Sequence, residues 1–113
     1  MPVADEMTLL EYQARVDEWI GTYGVRYFSE LNILAQIVEE VGEVARIVGR
    51  RYGEQSGDDP ARSLGDELAD VLFAVACLAN KTGIDLSAEL ARNLAKKTRR
   101  DATRHKENEK LSG

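Results

Sequence analysis

The sequence predicts an all-α fold of four main helices. Apolar residues recur at three- and four-residue spacing in four successive segments, cap residues and glycines bound those segments, and no stretch shows the two-residue alternation of a strand. A chain of 113 residues fits one domain. Helices this few leave apolar surface over, so a helical bundle completed by homo-oligomerisation is expected. The domain is expected to span residues 1–106, with 107–113 as a frayed C-terminal tail.

Helix one is placed at about residues 8–22. Thr8 is its N-cap, Leu9, Tyr12, Val16, Trp19 and Ile20 form its apolar face, and Gly21 and Gly24 weaken its end. Ser29 caps helix two, which runs to about Tyr52 and stops at Gly53 and the polar stretch Gln55-Ser56-Gly57-Asp58-Asp59. Pro60 suits the first turn of helix three behind an Asp59 cap, and the apolar pattern then continues from Leu64 to Ala79 until Gly83 ends it. Asp85 caps helix four, which is expected to bury Leu86, Leu90 and Leu94 before its composition turns basic.

Composition removes several kinds of chemistry. The single Cys77 and the single His105, the latter in a charged tail, give no material for a Cys/His zinc site or a histidine triad. No apolar run is long enough to span a bilayer, and the N-terminus has neither a basic start nor a hydrophobic signal core, so a cytoplasmic protein without a membrane partner is expected. Residues 91–113 carry eight Lys/Arg against three Asp/Glu, while residues 1–90 have a net charge of −10. An acidic body argues against general nucleic-acid binding, whereas an acidic cluster facing a basic segment suits a metal-bridged phosphate ligand. A solvated basic helix end is the plainer reading of the same charges.

The acids that matter interrupt apolar stripes. On helix two, Ile33, Ile37, Glu40, Val44 and Ile47 follow the spacing of a packed seam, with Glu40 where Leu or Ile would normally sit. On helix three, Leu64, Glu67, Val71, Ala74 and Leu78 repeat the pattern with Glu67, and Asp70, Phe73, Cys77 and Asn80 form the adjoining stripe. Buried carboxylates, with Glu43 and Asp70 one turn away, repel one another unless cations sit between them. An all-oxygen donor set favours a hard ion, Mg²⁺ with Mn²⁺ as a substitute. Alternatively, these acids lie at the edge of the buried face and pair with Arg46, Arg50 or Arg51. A di-iron bundle would need core histidines, which the chain lacks.

The run Glu39-Glu40-Val41-Gly42-Glu43, followed after a gap by Glu67-Leu68-Ala69-Asp70, resembles the EExxE…ExxD signature of the MazG-like nucleotide pyrophosphohydrolases. Arg26-Tyr27-Phe28-Ser29, Arg51-Tyr52-Gly53-Glu54, Asp70-Val71-Leu72-Phe73, Cys77-Leu78-Ala79-Asn80 and Gly83-Ile84-Asp85-Leu86 resemble the short, stand-alone bacterial members, and the likeness covers roughly residues 10–105. The resemblance implies an all-α enzyme that assembles as a dimer or tetramer and hydrolyses nucleoside triphosphates to monophosphate and pyrophosphate. It implies Glu40, Glu43, Glu67 and Asp70 as Mg²⁺ ligands. Glu39 would be a nearby carboxylate orienting the attacking water, with Glu39 and Glu40 as the catalytic pair. The implied reaction is attack of metal-activated water at the α-phosphorus, with pyrophosphate leaving.

No glycine loop of the Walker type is present, so further phosphate contacts fall to cations. Arg92, Lys96, Arg100 and Arg104 recur every fourth residue on helix four, with Lys96 and Arg100 as the preferred pair. Lys97 and Thr98 depart from the family pattern, which has an aromatic residue and an Asn there. For the base, Trp19, Tyr23, Tyr27 and Phe28 cluster between helices one and two; Trp19 is expected to stack and Asn80 to bond the base edge, with core packing as the plainer role of any one aromatic. The competing classes are a non-enzymatic helical module that self-associates and a divalent-ion-binding bundle without turnover.

Overall fold

The computed structural model describes residues 6–54 and 63–112. Within them the order is α1 (Leu9–Trp19), a π-helical turn (Ile20–Gly24), α2 (Glu30–Tyr52), α3 (Leu64–Thr82), α4 (Leu86–Asp101) and a 3₁₀ turn (Glu109–Leu111). The expected all-α class of four helices holds, with no strand among the described residues.

Local chemistry accounts for the ends. The Thr8 hydroxyl accepts from the Glu11 N–H and the Glu11 carboxylate accepts from the Thr8 N–H, both at 3.1 Å, closing a capping box. Ser29 and Asp85 cap α2 and α4 through their side chains, as expected. The side chain of Ser63 caps α3, accepting from the Asp66 N–H at 2.9 Å; the expected Asp59 cap and Pro60 lie outside the described residues. At the other end Gly83 takes φ 74°, and the Ile84 N–H donates to the Ala79 carbonyl at 2.8 Å, so a left-handed residue turns the chain from α3 into α4. At Gly53 a Cβ would meet the Gly49 carbonyl oxygen at 2.7 Å, so only glycine lets α2 end this way.

Helix one does not simply fray at its glycines. It widens into the π turn, and Val25 then takes φ 73° and ψ −56°, a conformation strained for a β-branched residue. That reversal sends Arg26, Tyr27 and Phe28 back over the ends of α1 and α3.

The core gathers Val16, Ile33, Ala76 and Cys77, with Tyr12, Ile20, Ile37 and Phe73 packed around them. Helices α2 and α3 form the main contact, and α1 packs on α3. Successive pairings, Ile33 near Cys77 and Glu40 near Glu67 and Asp70, make α2 and α3 antiparallel. The radius of gyration is 17.9 Å, against about 13 Å for a compact chain of this length. The excess has a visible source: α4 leaves α3 at 105° and packs on α1.

The expected burial on α4 is therefore corrected. Leu90 and Leu94 are exposed and Leu86 only half-buried, because the perpendicular helix carries them away from the core. The segment expected to fray holds the 3₁₀ turn, whose Asn108 side chain accepts from the Lys110 N–H at 3.0 Å. Among the described residues no single helix is long and apolar enough to cross a membrane.

Candidate metal centre and adjoining cavity

The α2–α3 seam brings three carboxylates together. Glu40, Glu67 and Asp70 each offer an oxygen, and these oxygens lie within 4.8 Å of one another. Glu67 has no exposed surface, and both its carboxylate oxygens are buried; Glu40 and Asp70 are half-buried. Helix geometry makes this possible, since Glu67 and Asp70 share a face of α3 one turn apart, and Glu40 meets them where the apolar stripes of the two helices interlock. Buried oxygen donors of one charge, converging from two helices, suit a hard divalent cation.

The other expected ligands sit differently. Glu43 pairs with Arg46 at 2.9 Å on the surface of α2, which is the arginine pairing considered above for these acids. Glu39 is exposed on the turn beside Glu40. Neither joins the cluster of converging oxygens.

The cations of α4 are on a separate helix from the cluster. Arg100 is bound to its neighbour Asp101 through Nε and Nη2, the latter at 2.8 Å, and Arg104 reaches the same carboxylate at 3.2 Å. These guanidinium contacts hold the Asp101 carboxyl down at about 2, and Arg100 is raised in turn. Lys96 lies on an open groove of α4 with Leu86, Leu90 and Asn93, beside an Arg92–Glu89 pair.

Trp19 and Asn80 are not brought to one place. Trp19, 47 % exposed, meets Phe73 edge to face at 5.6 Å between ring centroids and tilts against Tyr23 at 5.7 Å. It borders a cavity of about 280 Å³ together with Arg26, Phe28, Gln36, Phe73 and Cys77. Burial pushes the Cys77 thiol up. Asn80 does not border that cavity but a shallower hollow at the α1–α3–α4 junction.

There its carboxamide is occupied: Oδ1 accepts from Gln13 Nε2 at 3.0 Å, and Nδ2 donates to the Gln13 carbonyl at 2.9 Å and to the Tyr27 hydroxyl at 3.0 Å. Gln13 also donates to the Ile84 carbonyl at 2.8 Å and accepts from the Leu86 N–H at 2.9 Å. Asn80 thus ties α1, the Tyr27 segment and the α3–α4 turn together.

Sequence reasoning missed Gln36 and Gln13. Each is a polar residue at the margin of an apolar stripe, where composition reads it as surface. Gln36 stands four residues before Glu40, one turn along the same face, and that spacing was the available signal.

A family model for the MazG nucleotide pyrophosphohydrolase domain matches residues 28–105. The uncharacterized protein YpjD of Bacillus subtilis is 40% identical over 101 residues, spanning 88% of this chain and 91% of that protein. A crystal structure of Bacillus subtilis YpjD superposes with a TM-score of 0.74 at 41% identity, covering 81% of this chain and 94% of that one. A crystal structure of the Bacillus-conserved MazG protein, a nucleotide pyrophosphohydrolase, superposes with a TM-score of 0.71 at 39% identity, covering 81% and 90%.

Proposed function

The chain belongs to the MazG nucleotide pyrophosphohydrolase family and is a hydrolase acting on nucleotides, and from that premise we propose that it cleaves nucleoside triphosphates to monophosphate and pyrophosphate with Mg²⁺. The observation that carries the reading is the convergence of Glu40, Glu67 and Asp70 one helical turn from an aromatic-lined cavity. Glu40, Glu67 and Asp70 hold the ion, Mn²⁺ being a substitute, and Glu43 joins them on release from Arg46. When bound, the ion lowers the pKa of water and offsets charge on the phosphates.

Every other part of the task falls to the chain. Trp19 and Phe73, packed edge to face, form an aromatic wall for the base and keep water from it. Glu39, exposed beside Glu40, orients the water that attacks the α-phosphorus and takes its proton; pyrophosphate leaves. In this reading Asn80 acts indirectly, holding Tyr27 and the segment that rims the cavity.

Lys96 and Arg100 meet phosphate as members of an assembly, because α4 packs away from its own α2–α3 seam. A second apolar stripe on α2 supports a homo-oligomer: Leu31, Leu34, Val38, Val41 and Val48 recur at three, four or seven residues, and all are exposed. A cytoplasmic setting, where nucleotides and Mg²⁺ are held, fits the same reading.

Phosphorus NMR of the protein with mixed nucleoside triphosphates and Mg²⁺, against an EDTA control, tests it. Monophosphate and pyrophosphate are expected, only with metal. Orthophosphate and diphosphate would mean another bond is cut, and metal-induced stabilisation without turnover would leave an ion-binding bundle.

A further inference from the structure

The antiparallel seam orders the cavity and the carboxylates along one line. Gln36 precedes Glu40 by one turn on α2, and Phe73 follows Asp70 by one turn on α3, so the cavity begins where the acidic cluster ends. Four residues of helix amount to about 6 Å of rise. A nucleotide whose phosphates lie at the carboxylates therefore has its sugar at that step and its base among Trp19, Phe28 and Phe73.

The wall of that cavity is mostly apolar or aromatic; among the described residues Gln36 is the one carboxamide in it, and the Arg26 guanidinium that also borders it donates to the Tyr27 carbonyl at 2.9 Å. The other two carboxamides of this region, on Gln13 and Asn80, are bonded to each other and to backbone. The Gln36 side chain makes no hydrogen bond or ion pair with any described residue. A carboxamide bordering an apolar cavity gains most by bonding whatever occupies it, and it offers one donor and one acceptor in a plane, the complement of a base edge.

We infer that Gln36 reads the hydrogen-bonding edge of the nucleobase and sets which base this chain prefers. The inference rests on the function proposed above and deepens it. Stacking on Trp19 or Phe73 is indifferent to the base, since every base has a π-face. Discrimination must come from a polar group at the edge, because a site built to bond such an edge leaves its own group unpaired when the wrong base enters.

The test is kcat/KM for pyrophosphate release from ATP, GTP, CTP, UTP and dTTP by the full chain, Gln36→Leu and Gln36→Glu, with circular dichroism to check folding. Gln36→Leu keeps the bulk and removes both bonds, so the spread between best and worst base should shrink by roughly 10-fold. Gln36→Glu exchanges the amide donor for an acceptor, so the ranking should move toward guanine, adenine and cytosine, which carry exocyclic amines, and away from uracil and thymine, which do not, by a similar factor of roughly 10. Should Gln36→Leu fail to fold, the ranking under Gln36→Glu decides.

A common factor applied to all five substrates, or a wild-type chain indifferent to the base, overturns the assignment while leaving the pyrophosphohydrolase reading standing. A wild-type chain that releases no pyrophosphate from any of them overturns that reading, and the assignment falls with it.

Discussion

Glu67 on α3 and Glu40 on α2 present carboxylate oxygens within 4.8 Å of each other, and Glu67 does so with no exposed surface. Two ionised carboxylates at that separation repel by about 3.5 kcal/mol at an effective dielectric near 20. Glu67→Gln keeps the shape and removes one charge. It should raise the melting temperature in EDTA, abolish the rise expected of the parent protein with Mg²⁺, and lower turnover by roughly 100-fold or more. Thermal melts with and without Mg²⁺ check this. A variant that melts lower in EDTA yet keeps its Mg²⁺ response would remove Glu67 from the ion site.

The bonds of Gln13 join three elements that hydrophobic packing alone leaves loosely attached. Its side chain, 6 % exposed, serves Asn80, the Ile84 carbonyl and the Leu86 N–H. Gln13→Leu strands those partners in a poorly hydrated junction and should cost about 3 kcal/mol in urea unfolding. Combining it with Asn80→Leu should cost less than the two single losses together, since the bond between the two carboxamides is lost in either variant and can be lost only once. Full additivity would show that the network contributes little.

How far the fold was legible follows from which forces act locally. Caps at Thr8, Ser29 and Asp85 and the stop at Gly83 are read from single residues, because a cap is a short-range bond. The meeting of Glu40 with Glu67 was legible too, since helical spacing put each in an apolar stripe. The 105° departure of α4 was not, because Gly83 announces a turn without its direction, and so Leu90 and Leu94 were expected inside. The second stripe on α2 escaped notice because one seam already explained the helix. The Gln13–Asn80 bond spans 67 residues, a separation at which no periodicity operates.

That second stripe makes its own prediction. Leu34 and Val38 stand at its centre, both exposed, and a helix with apolar residues on two faces needs two partners. Val38→Glu should lower the mass seen by light scattering to that of a smaller assembly, and it should weaken nucleotide turnover if Lys96 and Arg100 act between chains. An unchanged mass would show that this stripe holds no second copy of the chain.

Tyr27 gives an alkaline signature. Burial, and then its hydrogen bond to the Asp17 carboxylate at 2.7 Å, push its phenol up to about 12. The folded chain thus holds this proton after the unfolded chain has lost it. The associated stability is whole below the ordinary tyrosine value near 10 and is lost as pH rises from there toward about 12. Urea unfolding at stepped pH should show this decline in the parent and a shallower one in Tyr27→Phe. Equal slopes would mean that Tyr27 titrates as an ordinary tyrosine.

Val25 stores strain where the cavity rim begins. Its φ of 73° and ψ of −56° crowd a β-branched side chain against its own backbone, while 85 % exposure means that the side chain gives almost no packing in return. Such a conformation costs about 1–3 kcal/mol, and glycine relieves it at an entropic cost of about 0.5–1 kcal/mol in the unfolded chain. Val25→Gly should therefore stabilise the protein by about 1 kcal/mol. Val25→Ala, still an L-residue at positive φ, should recover much less. The freer glycine loosens the segment that carries Tyr27 and Phe28, so KM for nucleotide should rise as stability does. Denaturant midpoints for both variants separate strain from side-chain loss, and equal shifts for glycine and alanine would show that the backbone at Val25 is relaxed.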